Sequence, residues 1–202
     1  MTNPKDILTT LHLIRAGLAS GLLSKEEVIA WADKIISKDE QPDIFFIDIA
    51  LLNSKSTKEV LYYFSDYLNF EKPAVPGRPL LGLLYKQYKN QQLNLEQTVR
   101  ILFRLNFEAI FTDKEESYIY SIDNDFDCAK DNIYGKMEDV EKETDKFLSF
   151  YKDYSINNFD HWNDLDKIVE ENIEKDYQLH KQQIEIYPQT FVNESKPWWK
   201  FW

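Results

Sequence analysis

Seven carboxylates recur at helical spacing in the second half of the chain: Glu116, Asp123, Asp127 and Asp131, then Glu138, Glu141 and Asp145. Carboxylates this dense can hold a cation, exchange protons, or present negative charge to a basic partner. The first use is the easiest to test. Asp123-Asn124-Asp125-Phe126-Asp127 places oxygens at alternating positions, as the opening of a calcium loop does. That loop also needs a glycine for its sharp turn and a closing carboxylate. Cys128 and Tyr134 stand at those positions, so the pattern fails. On a helix, Glu116, Asp123 and Asp127 instead line up a quarter-turn or more from the apolar face, with Asp131 at the edge. Glu138, Glu141 and Asp145 lie away from the apolar positions of the following segment. The expectation is one exposed acidic patch facing a basic protein. Like charges at helical spacing repel, a cost that a docking surface tolerates and that a merely solvated face also carries.

Other reactive residues carry less. His12, His161 and His180 lack metal-ligand spacing. His12 falls within an amphipathic run and reads as a surface or core-edge residue. Cys128, the single cysteine, excludes an internal disulfide and a cysteine-cluster zinc site, and reads as an inert, partly buried thiol. No glycine loop for phosphate and no nucleophile elbow occurs. Acid pairs are too numerous for sequence proximity to single out a hydrolytic pair. These residues read as non-enzymatic, with no cofactor and no metal. A metal-dependent hydrolase built on the acidic clusters is the alternative from another class.

Charge is divided sharply along the chain. Residues 1–112 hold 13 basic and 13 acidic side chains, whereas residues 113–202 hold 11 and 22, which is the whole net charge of −11. A pI near 4.8 argues against binding a phosphate backbone, which requires clustered Lys and Arg. At 202 residues, 43% hydrophobic and 29% charged, the composition is that of a folded globular chain with room for one sizeable domain. The start, Met1-Thr2-Asn3-Pro4-Lys5-Asp6, does not have the form of a signal peptide, and no apolar run approaches membrane-spanning length. The expected setting is cytoplasmic, away from membranes.

The elements that must position these residues announce their own starts. Asn3-Pro4 is a cap with proline at the first helical position, before Ile7, Leu8, Leu11, Ile14 and Leu18. Ser24 with Glu27, Ser56 with Glu59, Asn94 with Gln97 and Thr112 with Glu115 have the spacing of capping boxes. Helix starts are predicted near Pro4, Lys25, Thr57, Leu95 and Asp113. Residues 44–52 are apolar all round and suit a buried helix or a buried strand; helical neighbours favour the helix. Residues 69–79, with three prolines and a glycine, read as a loop. Tyr118, Ile119, Ile122, Phe126, Ala129 and Ile133 share one helical face that Gly135 ends, although 118–122 alone would pass for a strand. A further helix runs to about Tyr154, and a last long one carries Trp162, Leu165, Ile168, Val169, Ile173 and Tyr177. The expected class is therefore all-α: a multi-helix bundle or short stack of αα-hairpins within one domain, 1–202. It comprises a neutral half (1–112), an acidic half (113–186) and an aromatic tail (187–202).

Two hairpins align at an offset of 70 residues: Leu11 with Leu81, Ile14 with Leu84, Leu23 with Leu93 and Ile29 with Val99. A duplicated αα-hairpin gives this pattern, as would any two capped amphipathic hairpins. The tail ends Pro197-Trp198-Trp199-Lys200-Phe201-Trp202. Trp198, Trp199 and Trp202 are expected to pack against protein, either capping the chain's own helices or forming an interface with a partner or a second copy. A homodimer is thus left open.

The stretch Leu13-Ile14-Arg15-Ala16-Gly17-Leu18-Ala19-Ser20-Gly21-Leu22-Leu23-Ser24-Lys25-Glu26-Glu27-Val28-Ile29-Ala30-Trp31-Ala32 resembles the N-terminal helix pair of small helical bacterial proteins grouped around polymorphic-toxin immunity systems. The shared pattern is Gly-x-apolar-Ser-x-Glu-Glu-apolar leading into a tryptophan-containing helix. The resemblance spans residues 8–67, about a third of the chain, and does not extend over 113–202. It implies an intracellular, non-enzymatic protein that binds and blocks a toxin. An acidic half is independently compatible with a basic, nuclease-like target, to which it would be steered electrostatically. A generic helical adaptor is the runner-up.

Overall fold

The computed structural model describes residues 2–73 and 75–186, the last seven of them as backbone only. Among the described residues there are nine α-helices: α1 (Leu8–Ser20), α2 (Lys25–Ile36), α3 (Ile44–Leu51), α4 (Thr57–Tyr67), α5 (Gly77–Lys89), α6 (Leu95–Glu108), α7 (Asp113–Lys130), α8 (Met137–Ser149) and α9 (Trp162–Ile186). The fold is all-α. The strand content described is β1 (Val75–Pro76) paired in parallel with β2 (Ala109–Ile110), two residues each. No helix among the described residues is long and apolar enough to cross a membrane.

All four capping boxes form. Ser24, Ser56, Asn94 and Thr112 each accept a hydrogen bond from the backbone N–H three residues on, and the side-chain oxygens of Glu27, Glu59, Gln97 and Glu115 each accept one from the cap residue's own N–H. Two otherwise unsatisfied donors are settled at every one of these starts. Asn3 caps a short 3-10 turn, Pro4–Ile7, that leads into α1.

The 70-residue offset extends into three dimensions. The hairpin α1–α2 and the hairpin α5–α6 have nearly the same bounds at that spacing. Gly21 and Gln91 both take the left-handed conformation (φ 77° and 58°). At the same positions Leu22 N–H donates to Gly17 O at 2.8 Å and Gln92 N–H to Gln87 O at 3.0 Å, so both helices close with the same C-terminal motif. Packing repeats as well: α1 lies on α4 and α2 on α3, as α5 lies on α8 and α6 on α7. In the second set, α5–α6 and α7–α8 also touch, closing a ring of four helices. Two of the three buried α3 positions keep the offset to α7, Phe45 matching Glu115 and Ile49 matching Ile119, whereas buried Phe46 matches half-buried Glu116.

One continuous core runs through both sets, from Leu11, Trp31, Phe46 and Phe64 to Leu81, Leu102, Ile119, Phe147 and Ile173. Gly82 lets α5 pack tightly against the turn that follows α8. A Cβ there would stand 2.7 Å from Tyr151 O and 2.7 Å from Tyr154 Cβ. Backbone cannot swing aside as a flexible side chain can. Gly82→Ala is therefore expected to destabilise the fold by about 1–3 kcal/mol despite alanine's better helix propensity. Urea titration checks this, and an unchanged or raised midpoint would contradict the close approach.

Several sequence expectations are corrected. Gly77, Arg78 and Pro79 belong to α5 rather than to the loop, because a first-turn proline needs no N–H. α7 ends at Lys130, not at Gly135; Asn132 already takes a positive φ of 56°, and Ile133, outside the helix, is exposed. α8 stops at Ser149, and Tyr151 and Tyr154 are buried from the turn beyond it. Ile168 and Tyr177 lie exposed on α9, and His12 is buried, with burial lowering its pKa. α3 is a helix, but its outer side is open to solvent. Trp198, Trp199 and Trp202 lie outside the described residues.

Candidate docking surface

α7 and α8 project the carboxylates singled out from sequence toward two different seams of the four-helix ring. Asp123 and Asp127, one turn apart on α7, face α6. There Arg100 forks between them: Nη1 donates to Asp123 at 2.6 Å, and Nη2 donates to Asp127. The same guanidinium lies 5.1 Å from the centre of the Phe126 ring. The hydrogen bond from Arg100 holds the Asp127 carboxyl below the usual aspartate range. A single guanidinium from the neutral half is thus shared by two carboxylates, which neutralises half of their charge.

Asp145 lies on the α5–α8 seam, where Lys89 donates to it at 2.7 Å. Glu138 and Glu141, on the same edge of α8, have no cation within ion-pair distance among the described residues and are exposed. With Asp145 they line one wall of an open groove of about 790 Å³ whose other wall is the α5–α6 turn, with Tyr88, Leu93 and Leu95. Burial, and then the charges of Glu141 and Asp145, push the Tyr88 hydroxyl up. In a ring ordered α5, α6, α7, α8, the α6–α7 and α5–α8 seams lie on opposite sides. The structure thus brings Glu138, Glu141 and Asp145 together and sets Asp123 and Asp127 apart from them. Glu116 is half-buried in the first turns of α7, and Asp131 is an exposed C-cap at its end.

Sequence reasoning missed the most constrained carboxylate. Glu115 reads as the return arm of a capping box, and its Oε2 does accept from Thr112 N at 2.9 Å and Oγ1 at 2.8 Å. Its Oε1 accepts from Arg78 Nε at 2.8 Å and from the Tyr151 hydroxyl at 2.9 Å. Both ions of the pair are buried, Glu115 at 1% exposure and Arg78 at 9%. Arg78 Nη1 continues to Asp166 O at 3.1 Å and to the Asp166 and Glu170 carboxylates at 3.2 and 3.3 Å, tying α5 and α7 to α9. Burial alone would lower the Arg78 pKa, but Glu115 and Asp166 outweigh it and hold the guanidinium charged. Burial and the neighbouring carboxylate push the Tyr151 hydroxyl well up, so it stays protonated and donates. Both Glu115 oxygens are occupied by protein donors, which makes the network a clamp between helices. The one available signal was a lone arginine leading an otherwise apolar helix start.

Asp125 points to the opposite side of α7 from Asp123 and Asp127, so the three carboxylates do not converge. Among the described residues no three His, Cys, Asp or Glu side chains are grouped so as to hold a metal ion. Compared with protein-family models, curated proteins and solved structures, the chain matches none.

Proposed function

We propose that this chain acts by binding a basic protein, as an immunity-type inhibitor of a nuclease-like toxin. The observation that carries the reading is the α5–α8 edge. Glu138 and Glu141 remain exposed, with no cation at ion-pair distance among the described residues, on one wall of a groove whose other wall is apolar, after Asp123, Asp127 and Asp145 have taken their own partners. Glu138, Glu141 and Asp145 outnumber Lys89 and Lys142 around this concave surface. The net negative charge steers an oppositely charged partner, while the apolar wall supplies burial.

The test is co-expression with a secreted toxin domain encoded beside its gene, followed by binding kinetics with that domain. Rescue of growth is expected, with an association rate that falls about tenfold or more between 50 and 500 mM salt. Glu138→Lys/Glu141→Lys should slow association further at an unchanged melting temperature, since neither side chain supports the fold. Reversing Asp123 and Asp127 would be a poorer probe, because it sets lysines against Arg100. Absence of rescue, or a salt-independent rate, would overturn the proposal.

A further inference from the structure

The outer face of α3 is the largest departure from ordinary surface chemistry in the described structure. Ile44 and Leu51 are 67% and 72% exposed, and Ile47 between them is half-exposed. Their i, i+3, i+7 spacing forms a straight aliphatic stripe opposite the buried Phe45, Phe46 and Ile49. Asp48 is turned away, accepting from the Tyr63 hydroxyl of α4 at 3.0 Å. Isolated exposed aliphatics need no explanation, but three in register on one short helix form a recognition pattern.

The internal equivalence says what kind of element fits there. At the 70-residue offset, Ile44, Ile47 and Leu51 correspond to Lys114, Ser117 and Ser121 of α7. That face of α7 meets α9 at its start, while Ser117 and Ser121 further along are exposed. Lys114 pairs with Glu174 of α9 and lies 5.0 Å from the Tyr177 ring centre, and Tyr118 donates to Asp176. The equivalent face is polar, and the helix that touches its start brings carboxylates. The α3 face is aliphatic, and among the described residues nothing covers Ile44 or Leu51.

We propose that α3 pairs antiparallel with α3 of a second copy across a two-fold axis near Ile47. Charge at the two ends of the helix favours this occupant. Exposed Glu40 and half-buried Asp43 flank its start, while exposed Lys55, Lys58 and Glu59 follow its end, where Lys55 lies 3.4 Å from Glu59 and the balance is positive. A two-fold axis sets the acidic end of one copy against the basic end of the other and repeats each contact twice. It also opposes the two helix dipoles. Ile44 then meets Leu51 of the second copy. One short helix per side gives less than the roughly 800 Å² per partner of a standard interface, so the dimer is weak. This pairing is independent of the inhibitor reading and uses the other end of the molecule's sequence.

Sedimentation velocity on the full chain, from about 10 µM to about 1 mM, reads the assembly at the concentrations where weak dimers form. A concentration-dependent dimer is expected. Ile44→Glu/Leu51→Glu should sediment as a monomer with an unchanged melting temperature. Glu40→Lys should weaken the dimer about threefold or more, and adding Lys55→Glu in the same chain should restore it. Ile47→Cys in a Cys128→Ser background should oxidise to a disulfide-linked dimer, because the axis brings the two Cβ atoms together. A wild-type chain that stays monomeric throughout overturns the proposal. So does a dimer that survives Ile44→Glu/Leu51→Glu, which would place the contact on another surface.

Discussion

Arg78→Ala is expected to cost about 3–5 kcal/mol of folding stability, measured as a lower urea midpoint at an unchanged slope. The side chain itself is not the source of that cost. Its removal leaves Glu115, almost wholly buried, with only Tyr151 and the Thr112 cap to satisfy it. It also releases Asp166 and Glu170, which hold α9 against α5. The triple variant Arg78→Met/Glu115→Leu/Tyr151→Phe separates the two sources. Replacing both ions with apolar groups, together with the buried Tyr151 hydroxyl that would lose its acceptor, removes the uncompensated charge and should recover most of the loss, short of about 1 kcal/mol for the forfeited cap. If Arg78→Ala alone cost less than about 1 kcal/mol, water would be reaching Glu115 and the clamp would not be dry.

Phe46→Ala is expected to destabilise by a similar amount, about 3–5 kcal/mol, while Ile44→Ala stays within about 0.5 kcal/mol. Phe46 is fully buried, edge-on to Trp31 at 5.6 Å between ring centres and to Phe45 at 5.4 Å. Truncation would open a cavity among rings that cannot collapse together. Ile44 faces water. The contrast also separates helix from strand for this segment. A period of two would place residues 44 and 46 on one face and make both costly, whereas a helix sets them roughly 200° apart. Equal losses at both positions would overturn the helical assignment.

Helix starts were legible because capping is local chemistry. Ser24, Ser56, Asn94 and Thr112 reach donors within three residues, and no distant part of the chain can alter that reach. Helix ends were less so. Gly135 looks like a stop, yet Asn132 reaches the left-handed conformation first and closes α7 early. The offset of 70 residues was visible as matched apolar letters. Its extension to shared turn geometry and shared packing was not, since Gly21 and Gln91 have nothing in common as residue types.

The candidate site was legible in composition and illegible in arrangement. An acidic second half is a property of the letters. Which carboxylates keep their charge available depends on cations from the neutral half: Arg100 answers Asp123 and Asp127, and Lys89 answers Asp145. Those cations are remote in sequence and nothing in the local pattern points to them. The sequence alone determined the class of the fold, the helix starts and the sign of the surface, because each follows from periodicity, short-range hydrogen bonding or charge number. Only the tertiary structure decided that Glu115 and Arg78, 37 residues apart, form a buried pair, that the acidic residues divide between opposite seams, and that an apolar helix is left half in water. Burial and ion pairing are set by which surfaces meet, and that is a property of the packed chain rather than of any segment within it.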